Sequence, residues 1–189
     1  HEENQSHDHH MHEDEHIWLS LKNAQLISAL IAENIIKLDP ANEEIYKNNL
    51  NAYLEKLKAL DKKYEETVKN AKINTLLFGD RFPFRYLVDD YGLEYFAAFE
   101  GCSAESEASF ETIAFLANKL KELKLSGIII LDGSTGNIAK AVVGASSMED
   151  VETLILDSMQ TMDKDRINSG ENYIGIMEQN LETLKKALN

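Results

Sequence analysis

Residues 109–132, SFETIAFLANKLKELKLSGIIILD, predict a helix followed directly by a strand. The first part, residues 109–123, carries apolar side chains at three- and four-residue spacing, which is the period of an amphipathic helix. The last part, residues 126–131, is a short apolar run typical of a buried strand. Asp132 follows that run at once. The stretch is therefore one helix–strand unit of an α/β fold.

The same alternation extends through residues 72–189. Short apolar runs predict strands at 73–78, 94–99, 126–131 and 151–156, and the intervening patterns predict helices at 83–91, 109–123, 137–143 and 172–188. Parallel strands need crossover connections, which are usually helices that cover both faces of the sheet. We therefore expect an α/β, three-layer helix-sheet-helix lobe with a mostly parallel four-stranded sheet.

Two helices are predicted before this lobe. Apolar residues at helical spacing favour a helix from about Ser20 to Leu38, with Ser20 as its N-cap. Residues 42–71 form one apolar stripe with Glu and Lys on the other faces, which predicts a rigid amphipathic helix of about 45 Å. The expected organisation is a mobile segment at 1–15, helices including this long linking helix at 16–71, and the α/β lobe at 72–189.

Histidine is confined to the N-terminal end, because all six histidines lie within residues 1–16. Acidic residues separate many of them, and Lys and Arg do not occur there. This composition predicts a mobile metal chelator suited to zinc, copper, nickel or iron, with a purification tag as the alternative. The histidines of the mobile segment are His1, His7, His9, His10 and His12. His16 differs, because it adjoins Ile17 and Trp18, where the apolar pattern begins.

Composition excludes several classes of function. The 189 residues carry a formal net charge of -14, which argues against nucleic acid as a partner. Because no histidine follows His16, Ser-His-Asp and Cys-His catalysis in the body of the chain are excluded. The one cysteine, Cys102, cannot form an intramolecular disulfide. It is either a small buried residue or a thiolate ligand.

Each predicted strand runs into an acidic residue. The carboxyl ends of parallel strands form the edge at which α/β sheets bind ligands, so these side chains should share one rim. Each could cap the following helix. Together they would repel one another unless a bound metal or an arginine such as Arg81 neutralises them. The four residues are Asp80, Glu100, Asp132 and Asp157.

Several motifs resemble the zinc- and manganese-specific solute-binding proteins of ABC importers. They are the histidine-rich run leading into DEHIWLS at 14–20, DYGL at 90–93, AESEAS at 104–109, LDS at 156–158 and NLETL at 180–184. The resemblance spans the chain but corresponds to the C-terminal part of the family. Its members have two α/β lobes joined by a long helix, with the metal between the lobes. It therefore implies a missing N-terminal lobe.

The resemblance also implies a ligand set. His16 would be a direct metal ligand, and Asp157 the carboxylate ligand at the end of the last strand. The family's third ligand falls on Arg81, which cannot bind a metal because guanidinium stays protonated. Either the adjacent Asp80 takes this role, or Arg81 pairs with a carboxylate and the ligand set differs.

The function implied is that of an extracytoplasmic metal receptor, periplasmic or anchored as a surface lipoprotein. It would capture Zn²⁺, or less favourably Mn²⁺, and deliver it to the importer's permease without catalysis. Two alternatives stay open. One is a surface adhesin of the same family. The other is a metal-dependent enzyme that uses the rim carboxylates, with DGSTGN at 132–137 as a weak phosphate-loop motif.

Overall fold

The computed structural model describes residues 14–100 and 107–189, apart from the side chain of Glu100. Along the chain, two long helices come first, and strands alternating with helices follow them. The helices are α1 (Leu21–Leu38), α2 (Glu43–Lys69), α3 (Arg85–Tyr91), α4 (Phe110–Glu122), α5 (Asn137–Ser146), α6 (Lys164–Asn168) and α7 (Tyr173–Ala187). The strands are β1 (Thr75–Phe82), β2 (Glu94–Glu100), β3 (Gly127–Leu131) and β4 (Glu152–Leu156). Predictions on His1, His7, His9, His10, His12 and Cys102 lie outside the described residues.

The four strands form one sheet in the order β2-β1-β3-β4, and every neighbouring pair is parallel. Side chains alternate between its two faces. Leu76, Phe78 and Ile129 belong to a core shared with α2, α3 and α7. Leu77 and Ile128 belong to a second core with α4 and α5. The predicted three-layer α/β lobe is therefore confirmed.

Two details of the lobe differ from the sequence prediction. β1 continues to Phe82, so Asp80 lies within the strand and not after its end. The register between β1 and β2 shifts between Phe78 and Arg81, where β1 contains one residue more than β2. The short helix α6 was not predicted, because its five residues are too few for a helical period to be visible.

The helices before the lobe are confirmed. Ser20 caps α1 by accepting a hydrogen bond from the backbone N–H of Asn23. α2 has 27 residues, about 40 Å, and its C-terminal half packs into the lobe's core through Leu57, Leu60 and Tyr64. The Tyr64 hydroxyl donates to the backbone oxygen of Met177 in α7 at 2.6 Å. None of the helices in the described part of the chain is long and apolar enough to cross a membrane.

Candidate metal centre

A pocket of about 420 Å³ lies at the carboxyl edge of the sheet, where the sequence predicts a ligand site. Asp80 and Asp132 line it together with the turn from Gly133 to Thr135 and the loop after β4. The candidate phosphate loop therefore forms one wall of the pocket. The lining residues are Gly79, Asp80, Arg81, Phe99, Leu131, Asp132, Gly133, Ser134, Thr135, Asn137, Ile138, Ser158, Gln160 and Thr161.

The His16 imidazole is buried and oriented by a carboxylate. Only 1% of His16 is exposed, and its Nδ1 lies 2.7 Å from Oδ1 of Asp14. The same oxygen accepts the His16 backbone N–H at 2.9 Å. Because an ionised carboxylate only accepts, the proton belongs on Nδ1, which leaves the lone pair on Nε2. This carboxylate–histidine pairing is the arrangement that prepares an imidazole as a metal ligand.

Three hydrogen bonds hold the segment around His16 against the lobe. The Tyr86 hydroxyl donates to the backbone oxygen of Asp14 at 2.9 Å. The Trp18 indole N–H donates to the backbone oxygen of Ser158 at 3.0 Å, and the Tyr173 hydroxyl donates to the backbone oxygen of Trp18 at 2.7 Å. Burial raises the pKa of Tyr173, so this hydroxyl stays protonated and remains a donor. The segment is thereby joined directly to the loop that follows Asp157.

Asp157 is buried at the end of β4, and its backbone is held by Asn180 of α7. The Asn180 side-chain oxygen accepts the Asp157 N–H at 2.9 Å, and its amide nitrogen donates to the Asp157 carbonyl at 2.8 Å. In the Asp157 carboxylate, Oδ1 accepts the Met159 backbone N–H at 2.7 Å. Its Oδ2 accepts from Nη2 of Arg166. Both carboxylate oxygens therefore have donors inside the protein.

Arg166 of α6 is the cation that neutralises this part of the rim. Besides Asp157, it contacts Oε2 of Glu171 at 2.6 Å through Nη2 and Oδ2 of Asp132 at 3.3 Å through Nη1. Hydrogen bonds to Asp157 and then to Glu171 raise the pKa of Arg166. The sequence suggested Arg81 for this role. The cation in contact with Asp132 and Asp157 is instead Arg166.

Asp80 is oriented by backbone N–H groups at the edge of the pocket. Its Oδ1 accepts from the Arg81 N–H at 2.9 Å, and its Oδ2 accepts from the Leu131 N–H at 3.3 Å. The helix-cap interpretation is wrong for the rim acids whose side chains are described. Phe84 precedes α3, Gly136 precedes α5 and Asp163 caps α6, so Asp80, Asp132 and Asp157 cap none of them.

The predicted ligands are distributed along the rim and are not gathered at one point. Within residues 14–100 and 107–189, no three His, Cys, Asp or Glu side chains form a group that could hold a metal ion. His16 and Asp157 are linked indirectly, through the Trp18–Ser158 hydrogen bond and the loop after β4. The assignment of His16, Asp157 and Asp80 as ligands stays a prediction.

Three further residues contribute to the site and were not predicted from the sequence. Asn180 had a visible signal, because it is a polar residue within the apolar stripe of α7 and is 1% exposed. Gln160 and Arg166 have no such sequence signal, because both lie among other polar residues after β4. The side-chain nitrogen of Gln160 lies 2.7 Å from Nε2 of His16.

Replacing Asn180 with alanine should lower the free energy of unfolding by about 2–4 kcal/mol, because two buried backbone groups of Asp157 lose their partners. Thr183→Ala is the matched control. Thr183 lies on the same helix and donates a solvent-exposed hydrogen bond to the backbone oxygen of Ile155. Loss of this hydrogen bond should lower the free energy of unfolding by less than about 1 kcal/mol. Chemical denaturation measures both, and equal losses would contradict the role given to Asn180.

Comparison with known proteins agrees with this fold. The chain belongs to the family described as zinc-uptake complex component A, periplasmic, which matches residues 1–187. The zinc-binding lipoprotein AdcA of Streptococcus pneumoniae is 34% identical over 190 residues, covering 98% of this chain and 37% of AdcA. The chain thus spans little more than a third of that relative.

Solved structures of zinc-bound or metal-dependent proteins also share the fold of this chain. The metal-dependent lipoprotein YcdH from Bacillus subtilis superimposes with a TM-score of 0.80 at 32% identity, covering 93% of this chain and 65% of YcdH. The Zn(II)-bound ZnuA-like domain of Streptococcus pneumoniae AdcA gives a TM-score of 0.74 at 30% identity, and the match covers 93% of this chain and 64% of that domain. The family predicted from the sequence is therefore confirmed.

Proposed function

We propose that this chain is the C-terminal part of an extracytoplasmic zinc-binding component of an ABC importer. It would bind Zn²⁺ as cargo at the carboxyl edge of the sheet and deliver the ion to a permease. His16 and Asp157 are the proposed ligands, and Asp80 is the proposed third donor. The observation that carries the proposal is the buried His16 imidazole, whose Nδ1 lies 2.7 Å from the partly buried carboxylate of Asp14.

The chemistry of these donors suits zinc. Zn²⁺ binds imidazole nitrogen and carboxylate oxygen, and imidazole favours it over Mn²⁺, which prefers oxygen donors. The Asp14 carboxylate would strengthen the basicity of the His16 ring on metal binding. The named relatives, a zinc-binding lipoprotein and a Zn(II)-bound domain, support the same cargo.

The N-terminal lobe is the proposed intramolecular partner, and α1 offers a surface for it. Apolar side chains on α1 face solvent, with Leu26 64% and Leu38 87% exposed. An apolar face of this kind marks a surface that another domain covers. The other exposed apolar residues of this face are Leu30, Ile31, Ile35 and Ile45, the last at the start of α2.

Zinc titration against a competing chromophoric chelator tests the proposal. We define the loop-silent variant as the full chain with His1, His7, His9, His10 and His12 all replaced by asparagine. The unmodified chain should bind at least two ions, because the histidine segment and the rim both offer donors. The loop-silent variant should bind one ion more weakly, since the rim offers few protein donors. A loop-silent variant that binds no zinc would contradict the proposed site.

A further inference from the structure

Both proposed ligands contact the same stretch of chain. Gln160 places its side-chain nitrogen 2.7 Å from Nε2 of His16, and Arg166 donates through Nη2 to Oδ2 of Asp157. Gln160 lies in the loop after β4, and Arg166 lies in the short helix α6 that follows this loop. We call residues 160–171 the latch segment, which ends at Glu171, the second carboxylate partner of Arg166.

The latch segment occupies the atoms that a metal ion would need. Nδ1 of His16 is engaged with Asp14, so Nε2 is the ligand atom, and it is the atom that faces Gln160. The positive charge of Arg166 stands against Asp157 Oδ2, while Oδ1 accepts from the Met159 N–H. A cation that approaches Asp157 therefore meets a guanidinium of the same sign at the same carboxylate.

When the latch segment leaves His16 and Asp157, its polar side chains still have hydrogen-bond partners. After leaving Asp157, Arg166 keeps Glu171, which belongs to the same segment and accepts from Nε at 2.7 Å. Gln160 is exposed, so its amide can exchange His16 for water. Much of the segment lies at the surface, with Ile167 58% exposed, so its displacement uncovers little apolar core.

We propose that the latch segment is an intramolecular competitor for the cargo ion, in which Arg166 and Gln160 hold Asp157 and His16 until zinc displaces them. This inference rests on the proposed function. Its consequence is a metal affinity lower than the ligands alone would give. The same competition lets the segment return to the ligands when the ion leaves.

The first test replaces Arg166 with glutamine in the loop-silent variant. Removing the competing cation should lower the Kd for zinc about tenfold, the scale of a charge-assisted contact. Lys164→Gln is the matched control, because it removes the same charge from the same helix at an exposed position, and it should change the Kd less than about twofold. An unchanged or higher Kd in Arg166→Gln overturns the latch.

A second readout needs no substitution beyond those of the loop-silent variant. Hydrogen exchange of the loop-silent variant should show faster exchange at the α6 amides of Arg166 and Ile167 on zinc addition, because the latch segment leaves the rim. Slower exchange there would overturn the inference. The proposed function is judged separately by His16→Ala. If that substitution abolishes zinc binding while Arg166→Gln has no effect, the latch fails and the metal site stands.

Discussion

Replacing His16 with alanine in the loop-silent variant should weaken zinc binding about 100-fold, because the site loses its one imidazole and keeps oxygen donors. His16 is 1% exposed, and its Nδ1 is held by Asp14 at 2.7 Å. Competition with a chromophoric chelator measures the change. Circular dichroism of the same samples checks that the fold is kept.

Asp14→Asn gives a graded comparison for this substitution. Asparagine keeps the size of the side chain but removes the charge that fixes the proton on Nδ1 of His16. Zinc affinity should fall about tenfold, which is the scale seen when a hydrogen-bond partner of a metal ligand is changed. Equal zinc affinity in the His16→Ala variant and its parent would exclude His16 as a ligand.

Gly79→Ala should lower the free energy of unfolding by about 3 kcal/mol, the upper part of the usual range for overpacking. Gly79 lies in β1 against Ala139 of α5. A Cβ there would stand 2.6 Å from Cα of Ala139 and 2.9 Å from Cδ1 of Ile128. Because the first contact is with backbone, α5 itself has to move.

Gly144→Ala is the matched control for this prediction. Gly144 lies in α5, and a Cβ there meets no atom within 4 Å. The substitution should therefore stabilise the protein by about 0.5–1 kcal/mol through helix propensity and a less flexible unfolded chain. Thermal and chemical denaturation of both variants measure the difference. Stability of Gly79→Ala equal to that of the parent would show that α5 does not pack on β1 as described.

The fold could be predicted because its elements carry strong periodic signals. The apolar run before Asp132 and the amphipathic stripe of α2 define their elements over most of their length. The extent of β1 could not be predicted, since GDRF at 79–82 has neither apolar alternation nor a β-branched residue. It is a strand because β2 pairs with it up to Phe82 across a register shift.

The candidate residues follow from residue type, whereas their contacts do not. His16, Asp157 and Asp80 come from sequence motifs and strand ends, and their assignment as ligands stays a prediction. The contacts with Gln160 and Arg166 depend on how the chain returns after β4, which no local pattern encodes. Arg81 and a bound metal are the neutralising charges that the sequence suggests, whereas Arg166 reaches Asp132 and Asp157 through tertiary structure.

The ligand identity of His16 is tested most directly by the zinc K-edge X-ray absorption spectrum of the loop-silent variant loaded with one equivalent of zinc. His16 is then the only histidine of the chain, so any imidazole scattering comes from it. We expect one imidazole nitrogen at about 2.0–2.1 Å from the zinc, together with oxygen donors. A spectrum with oxygen donors alone would contradict it.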